Sequence, residues 1–295
     1  MDLSWPIAAA HWLHLGSLLI LLGAPFFALY VPRQPQATRS YSWLAAVALV
    51  TGCCWLILSL TDMADGVEGL SSFATWRAFF QETSFGSVWA VRLALLLALQ
   101  GCTIVASLLP SRGATLAVCA LSAILLGGSA WLGHAAASQE IERAAGIVSY
   151  IFHVLGAGAW LGGLVPLSQI LHRFMRRGGD IAVLVESLER FSRVGMLVVA
   201  LIAGSGVVNA YLRSVTLADL TNTQYGRTLA IKLALFFALL SLAATNRWIF
   251  LRRLRENSYG SQVLRSLYGS VVLEQLLGAS IIGVAVVLGA APPTE

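Results

Sequence analysis

Apolar residues along this chain fall into eight long runs that are separated by short polar segments. An α-helix rises about 1.5 Å per residue, so a run of about twenty residues crosses roughly 30 Å of hydrocarbon. Inside a bilayer the backbone has to satisfy its own hydrogen bonds, which favours a helix for each run. We predict membrane spans at residues 5–31, 41–61, 87–109, 114–137, 147–171, 194–213, 225–248 and 267–290.

The segments between the runs are too short to hold a soluble domain. The longest, residues 62–86, is expected to contain a short interfacial helix around Phe73–Phe80, with Trp76 and Phe79 on one face. Apolar residues make up 58% of the sequence and charged residues 11%, whereas soluble domains carry about 25% charged residues. The predicted fold is an all-α, polytopic transmembrane helix bundle of about eight spans, with one domain over residues 1–295.

The basic residues predict the orientation of the bundle. Most of the 19 Lys and Arg residues lie after the first, third, fifth and seventh runs, whereas the other segments are rich in Asp and Glu. Because cytoplasmic loops carry an excess of Lys and Arg, these basic segments are predicted to be cytoplasmic and both termini periplasmic. Such loops account for the formal net charge of +5. We therefore expect the lipid bilayer, and not nucleic acid, to be the partner of this charge.

The depth of the histidines is the most informative polar feature. His11 and His14 are three residues apart, on one face of the first span. His134 is predicted in the outer part of the fourth span and His153 in the outer part of the fifth, whereas His172 lies at the inner end. Four imidazoles at a common depth favour a metal or cofactor site, and imidazole suits copper, zinc, nickel and iron. Plain hydrogen bonding between helices is the alternative.

Sulfur and carboxylate groups near the second span suggest a route for a cation. Met63 lies between Asp62 and Asp65 at the mouth of this span, where carboxylates attract cations and a thioether suits Cu(I). Cys53 and Cys54 lie deeper and could relay Cu(I) inward. An ordinary acidic loop and cysteines that fill space are the alternatives.

Other polar residues interrupt the later spans. Charges within a membrane are costly, so they are usually functional or paired. Lys232 and Glu274 are therefore predicted to line a path or to form an internal ion pair, and Asn209 to line a cavity. Arg92 and Arg227 are expected to extend towards the lipid headgroups.

Several motifs together resemble the copper-resistance protein D (CopD) family. The pattern that begins at His153 places a tryptophan seven residues later, followed by two consecutive glycines. The resemblance covers essentially the whole chain and implies a bacterial inner-membrane protein of copper homeostasis. The matching segments are His153 to Trp160 with Gly162 and Gly163, Tyr225-Gly226-Arg227 with Lys232, Asn246-Arg247-Trp248, Gly133-His134 and Phe191-Ser192-Arg193.

The resemblance implies a copper function with several variants. It predicts that copper, as Cu(I) or Cu(II), binds the periplasm-facing histidines and moves towards the cytoplasm, supplied by a separate periplasmic protein of the CopC type. The absence of a nucleotide-binding motif points to a gradient or donor affinity as the energy source. No catalytic residue is predicted. One alternative is a redox protein that binds haem b through the same histidines, and another is a CopC partner that does not transport.

Overall fold

The structure is a computed structural model, and it describes residues 4–31, 38–64, 66–132, 140–256 and 260–290. Within these ranges the regular structure is helical and contains no strand. Short 3₁₀ segments lie at Val67–Ser71 and Gly128–Leu132, and π-helical segments at Gly158–Gly162 and Asn246–Phe250. The α-helices are α1 (Ser4–Tyr30), α2 (Thr38–Met63), α3 (Phe73–Glu82), α4 (Ser84–Leu108), α5 (Arg112–Gly127), α6 (Glu140–Ala157), α7 (Gly163–Arg177), α8 (Ile181–Leu212), α9 (Asp219–Asn222), α10 (Gln224–Thr245), α11 (Leu251–Arg255) and α12 (Ser261–Ala290).

Eight helical segments of the described chain are long and apolar enough to span a membrane, which confirms the predicted number. The fifth span is α6 and α7 joined by a π-helical segment, and the seventh is α10 and α11 joined in the same way. The sixth span begins at Ile181 rather than near residue 194. Asp180 caps this helix by accepting a hydrogen bond from the backbone N–H of Ala182 at 2.8 Å.

Helix α1 lies at the centre of the bundle, where it packs against α2, α5, α7 and α12. Leu18 and Leu21 are fully buried between α1 and the helices of the first half. At the other end of α1, Phe27 packs against buried side chains of α7, α8 and α12. Because lipid chains are as apolar as leucine, close packing and hydrogen bonds hold such helices together.

Two glycines allow α1 to cross the fifth span in direct backbone contact. A Cβ atom on Gly162 would overlap the carbonyl oxygen of Leu19, and one on Gly23 would overlap the carbonyl oxygen of Gly158. Only glycine lets two helix backbones approach this closely. The crossing fixes the π-helical segment that follows α6 against the centre of α1.

The predicted interfacial helix is present as α3, and it also packs on the bundle. Phe79 is buried, and its ring makes edge contacts with Phe85 at a centroid distance of 5.9 Å. Trp76 donates a hydrogen bond from its indole nitrogen to the carbonyl of Leu70 at 2.8 Å. Helix α3 therefore covers the start of α4 at the predicted periplasmic end.

Candidate metal centre

His14 is completely buried on α1 and uses both ring nitrogens. Its Nδ1 lies 2.7 Å from the carbonyl oxygen of Ala48 on α2, and its Nε2 lies 2.8 Å from the Nη2 of Arg92 on α4. A guanidinium group only donates hydrogen bonds, so Nε2 accepts and Nδ1 carries the proton. The lone pair that would bind a metal is therefore occupied by Arg92.

Arg92 lies inside the bundle with only 3% of its surface exposed, so the expectation that it extends to the headgroups is wrong. Its Nη1 donates to the carbonyl of Leu125 at 2.8 Å. Its guanidinium carbon lies 6.0 Å from the Trp55 ring and 5.7 Å from the Trp89 ring. Contacts with π-faces and a fork of donors stabilise this cation where no described carboxylate reaches it.

His11 lies beside the same cluster. Its ring stacks on Trp55 at a centroid distance of 3.9 Å and an interplanar angle of 9°. The ring of His14 lies 5.9 Å from the same tryptophan, in a tilted arrangement. The i, i+3 spacing thus places both histidines around one indole, as their common helix face predicts.

His153 on α6 has a different arrangement at its second nitrogen. Its Nδ1 lies 3.1 Å from the carbonyl oxygen of Ile202 and 3.1 Å from the Oγ of Ser205, both on α8. A carbonyl only accepts, so Nδ1 carries the proton and Nε2 keeps its lone pair. Among the described residues nothing is hydrogen-bonded to Nε2. Histidines that bind metals commonly donate their other N–H to a backbone carbonyl in this way.

A lysine on the seventh span lies near His153. The ammonium group of Lys232, on α10, is close enough to interact electrostatically with the imidazole. Helix α10 packs against α9 and α12, and although α8 and α10 are both described throughout, they make no extended contact with each other. The surroundings of His153 are therefore more open than those of His14, and His153 itself is only partly buried.

The other candidates are more dispersed. Asp62 and Met63 are exposed at the end of α2, Cys54 is exposed, and Cys53 and Asn209 are half-buried. Within the described ranges, no three His, Cys, Asp or Glu side chains gather closely enough to hold a metal ion. His134 and Asp65 lie outside those ranges. The four-histidine site thus stays a prediction, of which the structure brings together His11 and His14.

Glu274 on α12 is the one acidic side chain that is buried in the described chain, with 2% exposed. The side-chain amide of Asn246, at the start of the second π-helical segment, donates a hydrogen bond to its Oε1. No described Lys, Arg or His forms an ion pair with Glu274. The neighbouring Gln275 donates to the carbonyl of Leu164 at 2.8 Å. The ion pair considered for Glu274 is therefore not formed, and an amide takes its place.

Two family profiles match this chain, one in each half. Residues 1–144 match the family profile described as copper resistance protein D-like, N-terminal domain, and residues 185–288 match the profile of copper resistance protein D. The chain belongs to the copper resistance protein D family. It is a multi-pass protein of the inner membrane, as the resemblance predicted.

Three curated relatives were found. Copper resistance protein D of Pseudomonas syringae pv. tomato is 28% identical, over 94% of this chain and 93% of the relative. The inner membrane protein YebZ of Escherichia coli is 27% identical, over 84% of this chain and 86% of its own length. The copper transport protein CutJ of Bacillus subtilis is 28% identical, over 77% of this chain but 43% of its own length. No solved structure is significantly similar to the chain.

Proposed function

We propose that this protein binds copper at the predicted periplasmic end of the bundle and moves it towards the cytoplasm. The observation that carries this proposal is the hydrogen bonding of the His153 ring. Its Nδ1–H group is held by a carbonyl on α8 while the lone pair on Nε2 has no described partner. This is how proteins orient an imidazole to bind a metal, and imidazole is a good ligand for copper.

The contacts of the other histidines give them different roles. His14 accepts a hydrogen bond from Arg92 at its Nε2, so copper could bind there only after Arg92 moves away. His11 stacks on Trp55 and has no described hydrogen bond, which leaves its nitrogens available. We propose His153 as the first ligand, with His11, His14 and His134 as the further histidines of the path.

The direction and partner follow from the predicted orientation. Copper would arrive from a periplasmic donor of the CopC type, because the histidines lie near the end that the positive-inside rule places in the periplasm. The exposed Asp62 and Met63 at the mouth of α2 would attract the ion. Cys53 and Cys54 lie farther along this helix, and Glu274 with Asn246 offers oxygen ligands beyond them.

The proposal is tested by metal analysis of the purified protein together with its visible absorption spectrum. We expect bound copper in the wild type and a loss of copper affinity of about tenfold or more in His153→Ala, because a ligand is removed. His172→Ala is the matched control, since His172 is exposed and its ring lies against Tyr268 at 5.7 Å. This control should bind copper as the wild type does.

Two results would contradict the proposal. Equal copper affinity in His153→Ala and the wild type would remove His153 from the site. A Soret band in the purified wild type would show haem instead of copper at the histidines. Copper accumulation in cells that express the same three proteins then tests transport separately from binding.

A further inference from the structure

The start of the third span and the start of the seventh span have matching sequences. In both, a threonine precedes the helix, a glycine follows three residues after it, and a basic residue follows nine residues after it. The basic residue is the ninth residue of its helix in both cases, so the two cations lie at the same depth. The matching pairs are Thr83 with Thr223, Phe85 with Tyr225, Gly86 with Gly226, Ala90 with Ala230 and Arg92 with Lys232.

The two helix starts also have the same local structure. The threonine hydroxyl accepts a hydrogen bond from the glycine N–H at 2.9 Å in both helices. It donates to the carbonyl four residues earlier, at 2.7 Å from Thr83 and at 3.2 Å from Thr223. A Cβ atom on either glycine would overlap that same carbonyl oxygen, so a short helix, α3 or α9, folds back onto each start.

The histidines that face these cations match as well. His14 on the first span bonds through Nδ1 to the carbonyl of Ala48 on the second, and His153 on the fifth bonds through Nδ1 to the carbonyl of Ile202 on the sixth. In each case the glycine four residues after that carbonyl lies against the imidazole ring. These glycines are Gly52 and Gly206.

The packing of the helices repeats in the same order. Helix α1 packs on α2 as α6 packs on α8, α4 packs on α5 as α10 packs on α12, and α3 covers α4 as α9 covers α10. The first four spans form one set and the last four spans form the other. Because each set has an even number of spans, both sets cross the membrane in the same direction. The bundle therefore consists of two related four-span units, and each carries one matching histidine–cation pair.

We propose that His14 with Arg92 and His153 with Lys232 are two copies of one gated histidine site, and that Lys232 competes with copper for the Nε2 of His153. The first copy is closed, since α2 packs on α4 and Arg92 donates directly to His14. The second copy is open, since α8 and α10 make no extended contact and Lys232 is near His153 without a hydrogen bond to it.

The chemistry of the two cations explains why one copy is closed and the other open. The guanidinium of Arg92 donates to His14 and to the carbonyl of Leu125 at the same time, which locks it in place. An ammonium group is a compact charge on a flexible chain, so Lys232 approaches and leaves its histidine more readily. A cation at this lone pair excludes copper both by occupying it and by repulsion.

Copper titration of purified protein tests the competition, which rests on the proposed copper site at His153. We expect Lys232→Leu to bind copper about tenfold more tightly than the wild type, because a nearby positive charge is removed and leucine adds no copper ligand. Lys232→Arg should bind no more tightly than the wild type. Arg227→Leu is the matched control, since Arg227 is exposed on the same helix and donates to the carbonyl of Thr221. Unchanged or weaker binding by Lys232→Leu would overturn the competition.

Labelling with diethyl pyrocarbonate tests the paired sites without copper, since this reagent attacks an imidazole lone pair. With peptide mapping by mass spectrometry, we expect labelling of His153 in the wild type, and of His14 only after Arg92→Met. If that variant does not fold, Arg92→Lys takes its place. Lysine keeps the positive charge but loses one of the two hydrogen bonds that Arg92 donates, to His14 and to the carbonyl of Leu125. If His14 is labelled as fast as His153 in the wild-type protein, the assignment of the His14 site as closed and the His153 site as open is wrong.

The two measurements also separate this proposal from the proposed function. If no form of the protein binds copper, the proposed function fails and the competition at Lys232 fails with it. The labelling pattern then still decides whether the bundle holds a closed and an open copy of one site. If copper binds but Lys232→Leu has no effect, the copper site stands and the gating role of Lys232 is wrong.

Discussion

Gly162→Ala is expected to destabilise the bundle by about 1–3 kcal/mol and to lower its thermal unfolding temperature. The added methyl group would overlap the carbonyl oxygen of Leu19, which is backbone and cannot rotate away as a side chain can. Helix α1 would have to move off the fifth span, and α1 also packs against α2, α5 and α12. The measurement is thermal unfolding of the detergent-purified protein, followed by loss of helical circular dichroism.

Gly101→Ala provides the control for this substitution. Gly101 lies inside α4, and a Cβ atom there would meet nothing within 4 Å. Alanine favours helix over glycine by about 1 kcal/mol, so this variant should be as stable as the wild type or slightly more stable. Equal stability of Gly162→Ala and Gly101→Ala would show that the backbone contact between α1 and the fifth span is not as close as described.

Glu274→Ala is expected to destabilise the protein by about 1–3 kcal/mol, because the buried amide of Asn246 loses the partner to which it donates. Glu274→Gln keeps the shape and an acceptor oxygen, so its stability should stay close to that of the wild type. If the carboxylate lies on the inward path, copper movement should nevertheless fall about tenfold in Glu274→Gln. The reason is that the loss of one interaction between copper and the carboxylate, worth about 1.4 kcal/mol in the activation free energy, lowers a rate tenfold. Thermal unfolding and copper uptake into proteoliposomes separate the two effects.

Glu186→Gln is the matched control for the charge change. Glu186 lies on α8, is half-exposed, and pairs with Arg190 on the same helix at 2.7 Å. An exposed pair of this kind contributes little to stability. Uptake by Glu186→Gln should therefore match that of the wild type. Wild-type uptake in Glu274→Gln would leave Glu274 with a purely structural role, as the partner of Asn246.

The number and order of the spans could be predicted from the apolar runs because each run is long enough to cross a bilayer. The boundaries could not, and the sixth span shows why. Its first turns, from Ile181, carry charged residues, yet Leu184, Leu188 and Phe191 recur on one face and are buried in the bundle. The apolar content of these turns does not reveal such an amphipathic extension, whereas the spacing of the apolar residues along the helix does.

Arg92 is the clearest case in which the sequence was misleading. An arginine a few turns from the end of an apolar helix normally extends to the headgroups, and its neighbours in the chain give no contrary signal. Its hydrogen-bond partners, His14 and Leu125, lie on other spans. Of the two indole rings beside it, Trp55 lies on α2 and Trp89 lies one turn back on α4 itself. The one available signal was the matching pattern of threonine, glycine and cation at the start of the third and seventh spans.

The sequence by itself determined the class of this protein and its eight spans, because these depend on local apolar character along each run. The depth of the histidines, which was obtained by counting residues along each helix, stays a prediction. The tertiary structure decided which lone pairs are available, because that depends on donors from other spans. Arg92 occupies the Nε2 of His14, whereas the Nε2 of His153 has no described partner. Two histidines that look equivalent in sequence therefore differ in what they can bind.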